Sequence, residues 1–338
     1  MPPSVATGRA SLDPMLRIGV LGAARITRDA LLKPAAIVDG VEVVAIAGRD
    51  RGRASEAAAK HGIPTVHDGY EALLADPNVD AVYIPLPNGL HGRWTLAAIA
   101  AGKHVLCEKP FTANADEARV VAAAAKSSSV VVMEAHHTSH HPQTKRAAEI
   151  VRSGMLGDLE SAEAAFIVPM PPSGDIRWNL ALAGGSLMDL GCYPVRWLRD
   201  VLGVTPTVTG ASASDRDGID ASMDARLDYA GVTARVRAAM WTTPPLVISA
   251  EVRGSAGVMK VRMPFQPHIK GKISVDGPGL RLREKADKHA SYAFQLEAFR
   301  DAAVAGGPNL TDSAAAVETM QTIDDIYRAA GMAVRQPS

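Results

Sequence analysis

The sequence predicts two successive folds: a doubly wound α/β domain, then an α+β domain built on a large, mostly antiparallel sheet. Three observations predict them. The 338 residues, 47% of them hydrophobic, suffice for about two sizeable cores. From Leu16 to Ala135 short apolar runs alternate with Ala-rich helical stretches, the pattern of parallel βαβ units covered on both faces. Beyond Pro142 the hydrophobic period falls to two, as in hairpins with one open face.

In chain order, "MPPSVATGRASLDP" has no apolar core of a signal peptide and reads as a flexible arm over residues 1–14. The runs "LRIGVLG", "VEVVAIAG", "AVYIPL", "HVLCE" and "VVVMEA" follow as buried strands. "QTKRAAEIVRSG" is a helix. "DARLDYAG" alternates Ala225, Leu227 and Tyr229 with Arg226 and Asp228, and turns at Gly231 into "VTARVRAAMW". "LVISAEVRGSAGVMKV" repeats the strand, glycine turn, strand pattern. "SYAFQLEAFRDAAVAG" and "DSAAAVETMQTIDDIYRAAG" close the chain as helices ended by glycine.

Lys+Arg and Asp+Glu balance at 36 each, so no whole-chain field favours nucleic acid or an anionic membrane as partner. No segment reaches the ~18 apolar residues of a membrane span. Two cysteines, Cys107 and Cys192, lie far apart in apolar surroundings and read as reduced thiols of a cytoplasmic protein.

"IGVLGAARIT" follows the first strand. Gly22, Ala24 and Thr27 stand where G-x-G-x-x-G has its glycines, and Gly22, Ala23, Ala24, Arg25 and Ile26 can supply a tight turn and amides at a helix N-terminus for a pyrophosphate. The second strand ends in Gly48 with no carboxylate there for a ribose; Arg49 and Arg53 behind it suit a 2′-phosphate. NADP is therefore expected as cofactor. NAD is the alternative, with Asp50, one place late, on the ribose. The later strand ends bring out Pro87, Asn88, His91, Glu108 and Lys109, at the sheet edge where an open α/β fold holds its ligand.

The ordered set "IGVLGAARI", "YIPLPNGLH", "CEKP" and "GGSLMDLGCYPV" resembles the glucose-fructose oxidoreductase / inositol dehydrogenase / rhizopine catabolism protein (Gfo/Idh/MocA) family from about Leu16 to Gly331. Within it the sequence is most similar to the branch of dimeric dihydrodiol dehydrogenase and NADP-dependent xylose dehydrogenase. The resemblance implies an α/β Rossmann domain (15–138) followed by an α+β domain with a large open-faced, mostly antiparallel sheet for substrate binding and oligomerisation (139–338). It implies Lys109, Asp189 and Tyr193 as catalytic residues, with tyrosine where inositol dehydrogenases have histidine.

The implied reaction moves a hydride between a nicotinamide and a secondary alcohol or hemiacetal of a sugar, cyclitol or trans-dihydrodiol, so the protein must handle the hydroxyl proton. A free tyrosine has a pKa of about 10, so Tyr193 as acid/base calls for a neighbouring cation, for which Lys109 is the candidate. Asp189 and Tyr193 are i, i+4 and share one side of a helix. Arg177, in "GDIRWN", is a candidate for holding substrate oxygens. Two other readings are a glycosidase of the same family that retains its dinucleotide and oxidises transiently, and a non-catalytic cofactor sensor.

"EAHHTSHHP" (134–142) packs four histidines into six residues, and His136/His140 and His137/His141 are i, i+4 pairs that a helix would turn into metal ligands. The strand before them and Pro142 behind them break such a helix, so no metal is expected. His136 and His137 are expected in the substrate wall instead, where the resembling enzymes carry aromatic residues. Apolar residues on an open sheet face predict a homodimer or homotetramer.

Overall fold

The computed structural model describes residues 15–171, 174–240 and 246–338; the arm expected over 1–14 lies outside them. The first sheet is parallel throughout, in the order β3-β2-β1-β4-β5-β6. Its strands are β1 (Leu16–Leu21), β2 (Val41–Ala47), β3 (Thr65–His67), β4 (Ala81–Ile84), β5 (His104–Glu108) and β6 (Val132–Ala135). Ile18, Val20, Val82, Ile84, Val105 and Leu106 are wholly buried, as strands covered on both faces require. The order reverses between β1 and β4, which opens a crevice outside the carboxyl ends of these strands. β3, a three-residue edge strand, has too short an apolar run to stand out in the sequence.

The second sheet has the order β14-β13-β12-β11-β7-β10-β9-β8. It comprises β7 (Leu159–Ile167), β8 (Thr207–Arg216), β9 (Ile219–Tyr229), β10 (Val232–Ala239), β11 (Val247–Gly254), β12 (Gly257–Arg262), β13 (Lys272–Gly277) and β14 (Leu280–Lys285). All neighbours are antiparallel except β7 with β10. The expected hairpins are β9/β10, turning at Ala230 and Gly231 with positive φ, and β11/β12.

One face of this sheet packs on the helices Pro142–Arg152, Cys192–Leu202 and Ser313–Ala329. Ala225, Leu227, Tyr229, Val236 and Val252 point there and are at most 1% exposed. The opposite face overturns the expectation of an apolar surface. It carries Arg226, Arg235, Arg237, Glu163, Arg253, Lys260 and Arg262, tied by Arg235–Asp224, Arg237–Glu163 and Arg253–Glu251 ion pairs. Two-residue alternation sends most apolar side chains to the covered side, with Val247 and Val258 among the few left on this face.

A division at 138/139 also misses a return of the chain. The helix Ser291–Ala305 packs Ala293, Leu296 and Phe299 into the same core as Ile18 and Val20 of the first sheet and Leu31 of the helical turn after it. The helix Ser313–Ala329 lies against Ala115–Lys126. The last two helices thus clamp the two sheets together around the crevice. Among the described residues no helix is long and apolar enough to cross a membrane.

Candidate active site

The turn after β1 is built on Gly22, whose φ of +113° is open to glycine and whose missing Cβ would come within 3.0 Å of Leu86 Cδ2. Its amide donates to Ala47 O at 2.7 Å, so the chain bends sharply across the end of β2. Ala23, Ala24, Arg25 and Ile26 then line a cleft of about 450 Å³, together with Arg53, Pro87, Asn88, Glu108, Lys109, Arg177, Asp189 and Tyr193. Small side chains beside a cationic rim at a topological switch point fit a dinucleotide. Asp50 is spent on the backbone: its Oδ1 accepts from Arg53 N and caps the helix Arg51–His61. Arg49 is exposed just past β2, and Arg51 is paired with Asp68.

Lys109 leaves the end of β5 in a cis peptide with Pro110 and reaches across the cleft. Its Nζ donates to Asp189 O at 2.9 Å and Asp189 Oδ1 at 3.1 Å. Arg177 Nε donates to Asp189 Oδ2 at 2.7 Å, and Asp175 holds the rest of that guanidinium. Burial opposes ionisation of Asp189, but Lys109 and Arg177 outweigh it and keep its carboxyl below the usual range. Burial likewise opposes the Lys109 charge and Asp189 prevails, holding it above the usual lysine range. The site at neutral pH is an ionised carboxylate bridging two cations.

Tyr193 lies under this cluster with Lys109 Nζ 5.0 Å from its ring centroid. The ammonium lies over the ring and is hydrogen-bonded to Asp189. Burial first, and the Glu108 charge next, push the phenol well above the ordinary tyrosine range. Tyr193 is therefore a neutral phenol here, and its hydroxyl meets His137 Nε2 at 3.2 Å. Phe166, Phe265 and His136 wall its ring.

The helix expected through Asp189 and Tyr193 is a π-turn over Leu187–Gly191 running into the α-helix Cys192–Leu202. The wider turn leaves Asp189 O available to Lys109. Gly184 and Gly185 precede it; at Gly185, φ is +141° and a Cβ would run into the Asp220 carboxylate.

Two expected site residues face elsewhere. His91 is fully buried, with Nδ1 2.7 Å from Pro110 O and Nε2 2.7 Å from Leu86 O, so it offers no polar atom to a cofactor. It braces the strand ends that carry Pro87 and Lys109. His136 is also fully buried, with Nε2 on Cys192 O at 3.3 Å and Nδ1 on Thr138 Oγ1 at 3.2 Å, leaving nothing for a substrate. The run continues as a 3₁₀ turn over His137–His140, and His141 caps the helix Pro142–Arg152 through Gln143 N. The four imidazoles point to different partners. Among the described residues no group of three or more His, Cys, Asp or Glu side chains is placed to hold a metal ion.

Sequence reasoning missed Tyr292, which lines the cleft from the far C-terminal part of the chain. It also missed Arg335, 1% exposed, whose Nη2 donates to Asp220 Oδ1 at 2.6 Å and Nε to Gly184 O at 2.8 Å. Asp220 Oδ2 accepts from Ser186 Oγ and Leu187 N, so this buried pair fixes the entry to the π-turn. Neither residue sits in a motif, and only the three-dimensional return of the chain brings them here.

Known proteins are similar to this chain in sequence and fold. The model of an oxidoreductase family with an NAD-binding Rossmann fold matches residues 16–136, and that of the GFO/IDH/MocA C-terminal domain matches 144–260. A D-xylose 1-dehydrogenase (NADP(+)) of Haloferax volcanii is 41% identical over 320 residues, 93% of this chain and 97% of its own. A dTDP-3,4-didehydro-2,6-dideoxy-alpha-D-glucose 3-reductase of Actinomadura kijaniata is 33% identical over 299 residues, 86% of this chain and 88% of its own. The crystal structure of a 3-ketoreductase from Actinomadura kijaniata in complex with NADP and TDP-benzene superposes with a TM-score of 0.86 at 30% identity, covering 94% of this chain and 98% of that one.

Proposed function

The chain belongs to the GFO/IDH/MocA oxidoreductase family, and from that premise we propose that it is an NADP-dependent dehydrogenase acting on a secondary alcohol or hemiacetal of a sugar or related polyol. The observation that carries the reading is the Lys109–Asp189–Tyr193 cluster in a cleft that also contains the small-residue turn after β1. NADP-dependence of the xylose dehydrogenase relative, and Arg53 in the cleft wall with Asp50 committed to its helix cap, support the choice of cofactor. Relatives named as dehydrogenases and reductases favour net oxidation or reduction over a hydrolase or a sensor.

Gly22, Ala23, Ala24, Arg25, Ile26, Pro87, Asn88 and Glu108 would hold the dinucleotide, with Arg49 and Arg53 on its 2′-phosphate. When bound, the cofactor supplies hydride acceptance or donation. Tyr193 Oη exchanges the proton of the substrate hydroxyl. Lys109, a cation beside it, stabilises negative charge on the substrate oxygen and orients it. Asp189 holds Lys109 and Arg177 in register, and Arg177 takes a neighbouring hydroxyl of the substrate. We place the dinucleotide domain at 15–138 and the substrate domain at 139–338, with the helix Ser291–Ala305 returned to the former. The chain acts in the cytoplasm, where buried thiols such as Cys107 and Cys192 stay reduced. It assembles as a homodimer or homotetramer through the open sheet.

The test is a panel of aldoses beginning with D-xylose, cyclitols and trans-dihydrodiols, with NADP and NAD, following absorbance of the reduced nicotinamide. Turnover of a sugar with NADP is expected, and Lys109→Met and Tyr193→Phe abolish it while NADP still binds. Arg53→Ala raises the KM for NADP about 10- to 100-fold and leaves that for NAD unchanged, the effect of losing one charge-assisted contact. Turnover with NAD alone overturns the cofactor assignment; no turnover across the panel overturns the substrate class.

A further inference from the structure

Tyr193 stands between two cavities. On one side is the cleft described above. On the other is a second cavity of about 430 Å³, to whose wall His137, Gln266, His268 and Tyr292 contribute. Tyr193 belongs to both walls. The exposed residues Asp29, Lys33 and Ile37 also line the second cavity, so it opens to solvent on their side.

Beside the phenol in the wall of this cavity lies His137. His137 is 3% exposed, has Nε2 3.2 Å from the Tyr193 hydroxyl, and lies against Tyr292 with ring centroids 4.1 Å apart. Its Nδ1 is buried and meets no hydrogen-bond partner among the described residues, although the same ring lines the cavity. A buried imidazole with one nitrogen on a catalytic phenol and the other left unpartnered is placed for proton transfer. His136, its neighbour, has both nitrogens occupied and shows what a structural histidine in this run looks like.

We propose that His137 relays the proton between Tyr193 Oη and the second cavity, so that the reaction proceeds without a free phenolate. In the oxidative direction the substrate O–H bond breaks and its proton bonds to Tyr193 Oη. The hydrogen that Tyr193 already carries passes to His137 Nε2. The two electrons of the carbinol C–H bond leave as hydride to the nicotinamide dinucleotide. Tyrosine ends neutral, the substrate ends as a carbonyl, and the imidazole ends as an imidazolium whose Nδ1 proton leaves by way of the cavity that the ring lines. Loss of hydride turns the hydroxyl into a protonated carbonyl, a strong acid, which drives the transfer onto an imidazole that burial keeps neutral at rest. The charged and titratable groups facing His137 are Tyr193, Tyr292, Lys109, His140, His141 and His268, with Asp29 and Lys33 also lining the cavity.

This inference rests on the dehydrogenase reading, and two measurements separate the failure of one from the failure of the other. In the cofactor-free chain, ¹⁵N NMR of labelled histidine is expected to show His137 Nε2 as an unprotonated acceptor whose resonance moves in Tyr193→Phe; an unmoved resonance overturns the relay whatever the substrate proves to be. In the enzyme with its best substrate, His137→Phe is expected to lower kcat on the order of 10- to 100-fold with KM for NADP unchanged. His137→Ala recovers several-fold with added imidazole, in proportion to the imidazole present as free base. A His137→Phe variant with wild-type kcat and an unchanged pH profile, alongside an inactive Tyr193→Phe, overturns the relay and leaves the dehydrogenase reading standing.

Discussion

The imidazoles of His136, His137, His140 and His141 are each at most 3% exposed, and burial is the largest influence on all four, keeping them neutral. His140 is lowered to about 3 and His141 to about 4, with the other two well below the ordinary value. The unfolded chain takes up a proton at each near pH 6.5, and the folded chain refuses it until the pH falls much further. Stability is thus full above about pH 6.5 and is lost progressively as the pH drops through the window down to about 3. The ceiling is about 1.4 kcal/mol per pH unit for each histidine, so four together reach roughly 5 kcal/mol per unit. Urea unfolding at about pH 7.5 and about pH 5.5 should show the midpoint collapse, and a flat midpoint would mean that the four rings are solvated. The sequence disclosed the cluster and the break that denies it a helix, because strand and proline signals are local. It did not disclose that His136 and His137, adjacent in the chain, have opposite fates, since that depends on Cys192 O and Tyr193 Oη arriving from 56 residues away.

At the scale of elements, the buried strands of the first sheet were legible because each is a compact apolar run, whereas β3 and β8 were not. β8 reads "TVTGASASDR", with small and polar residues that pair at an edge and carry little hydrophobic signal. The π-turn over Leu187–Gly191 was foreshadowed only by Gly191 and Pro194, which signal a distorted helix without saying how it distorts. What fixes this turn comes from the chain end. Arg335 lies over the Tyr327 ring at 4.4 Å and pairs with Asp220, whose other contacts hold Ser186 and Leu187, while Asn114 Nδ2 donates to Arg335 O. Ser338 N donates to Gly89 O, so the last residues strap the π-turn to the loop that carries Asn88. Arg335→Met leaves the Asp220 carboxylate buried without its cation, which costs about 3–5 kcal/mol where such pairs have been broken. Chemical denaturation should therefore show a loss of that size, and the double variant Arg335→Met/Asp220→Asn should recover part of it. Equal stability of Arg335→Met and wild type would show that the tail is not a strap.

Considered whole, the molecule has one large surface whose chemistry differs from the sequence expectation, and the mode of self-association follows from that difference. An apolar open sheet would associate by burying hydrocarbon, with little sensitivity to salt. The outer face here presents Arg226, Arg235, Arg237, Arg253, Lys260 and Arg262 against Asp224, Glu163 and Glu251, in pairs that are about one-third to one-half exposed, such as Arg235 at 51% and Asp224 at 34%. A second copy related by a two-fold axis would meet these rows with its own, exchanging partly solvated pairs within one chain for pairs between chains. Such contacts act over a Debye length of about 10 Å at about 0.1 M salt and only about 3 Å at about 1 M. The assembly should therefore weaken with salt, its dissociation constant rising at least about tenfold across that range, an effect of about 1.4 kcal/mol. Sedimentation velocity at micromolar concentration measures it directly, and Arg235→Glu, which places a second acid beside Asp224, should shift the boundary toward monomer at low salt without altering the circular dichroism. A monomer in low salt would sink assembly through this face. An assembly as tight at about 1 M salt as at about 0.1 M would move the interface to apolar surface elsewhere, where Ile37, Leu246 and Ile269 stand 64%, 62% and 47% exposed.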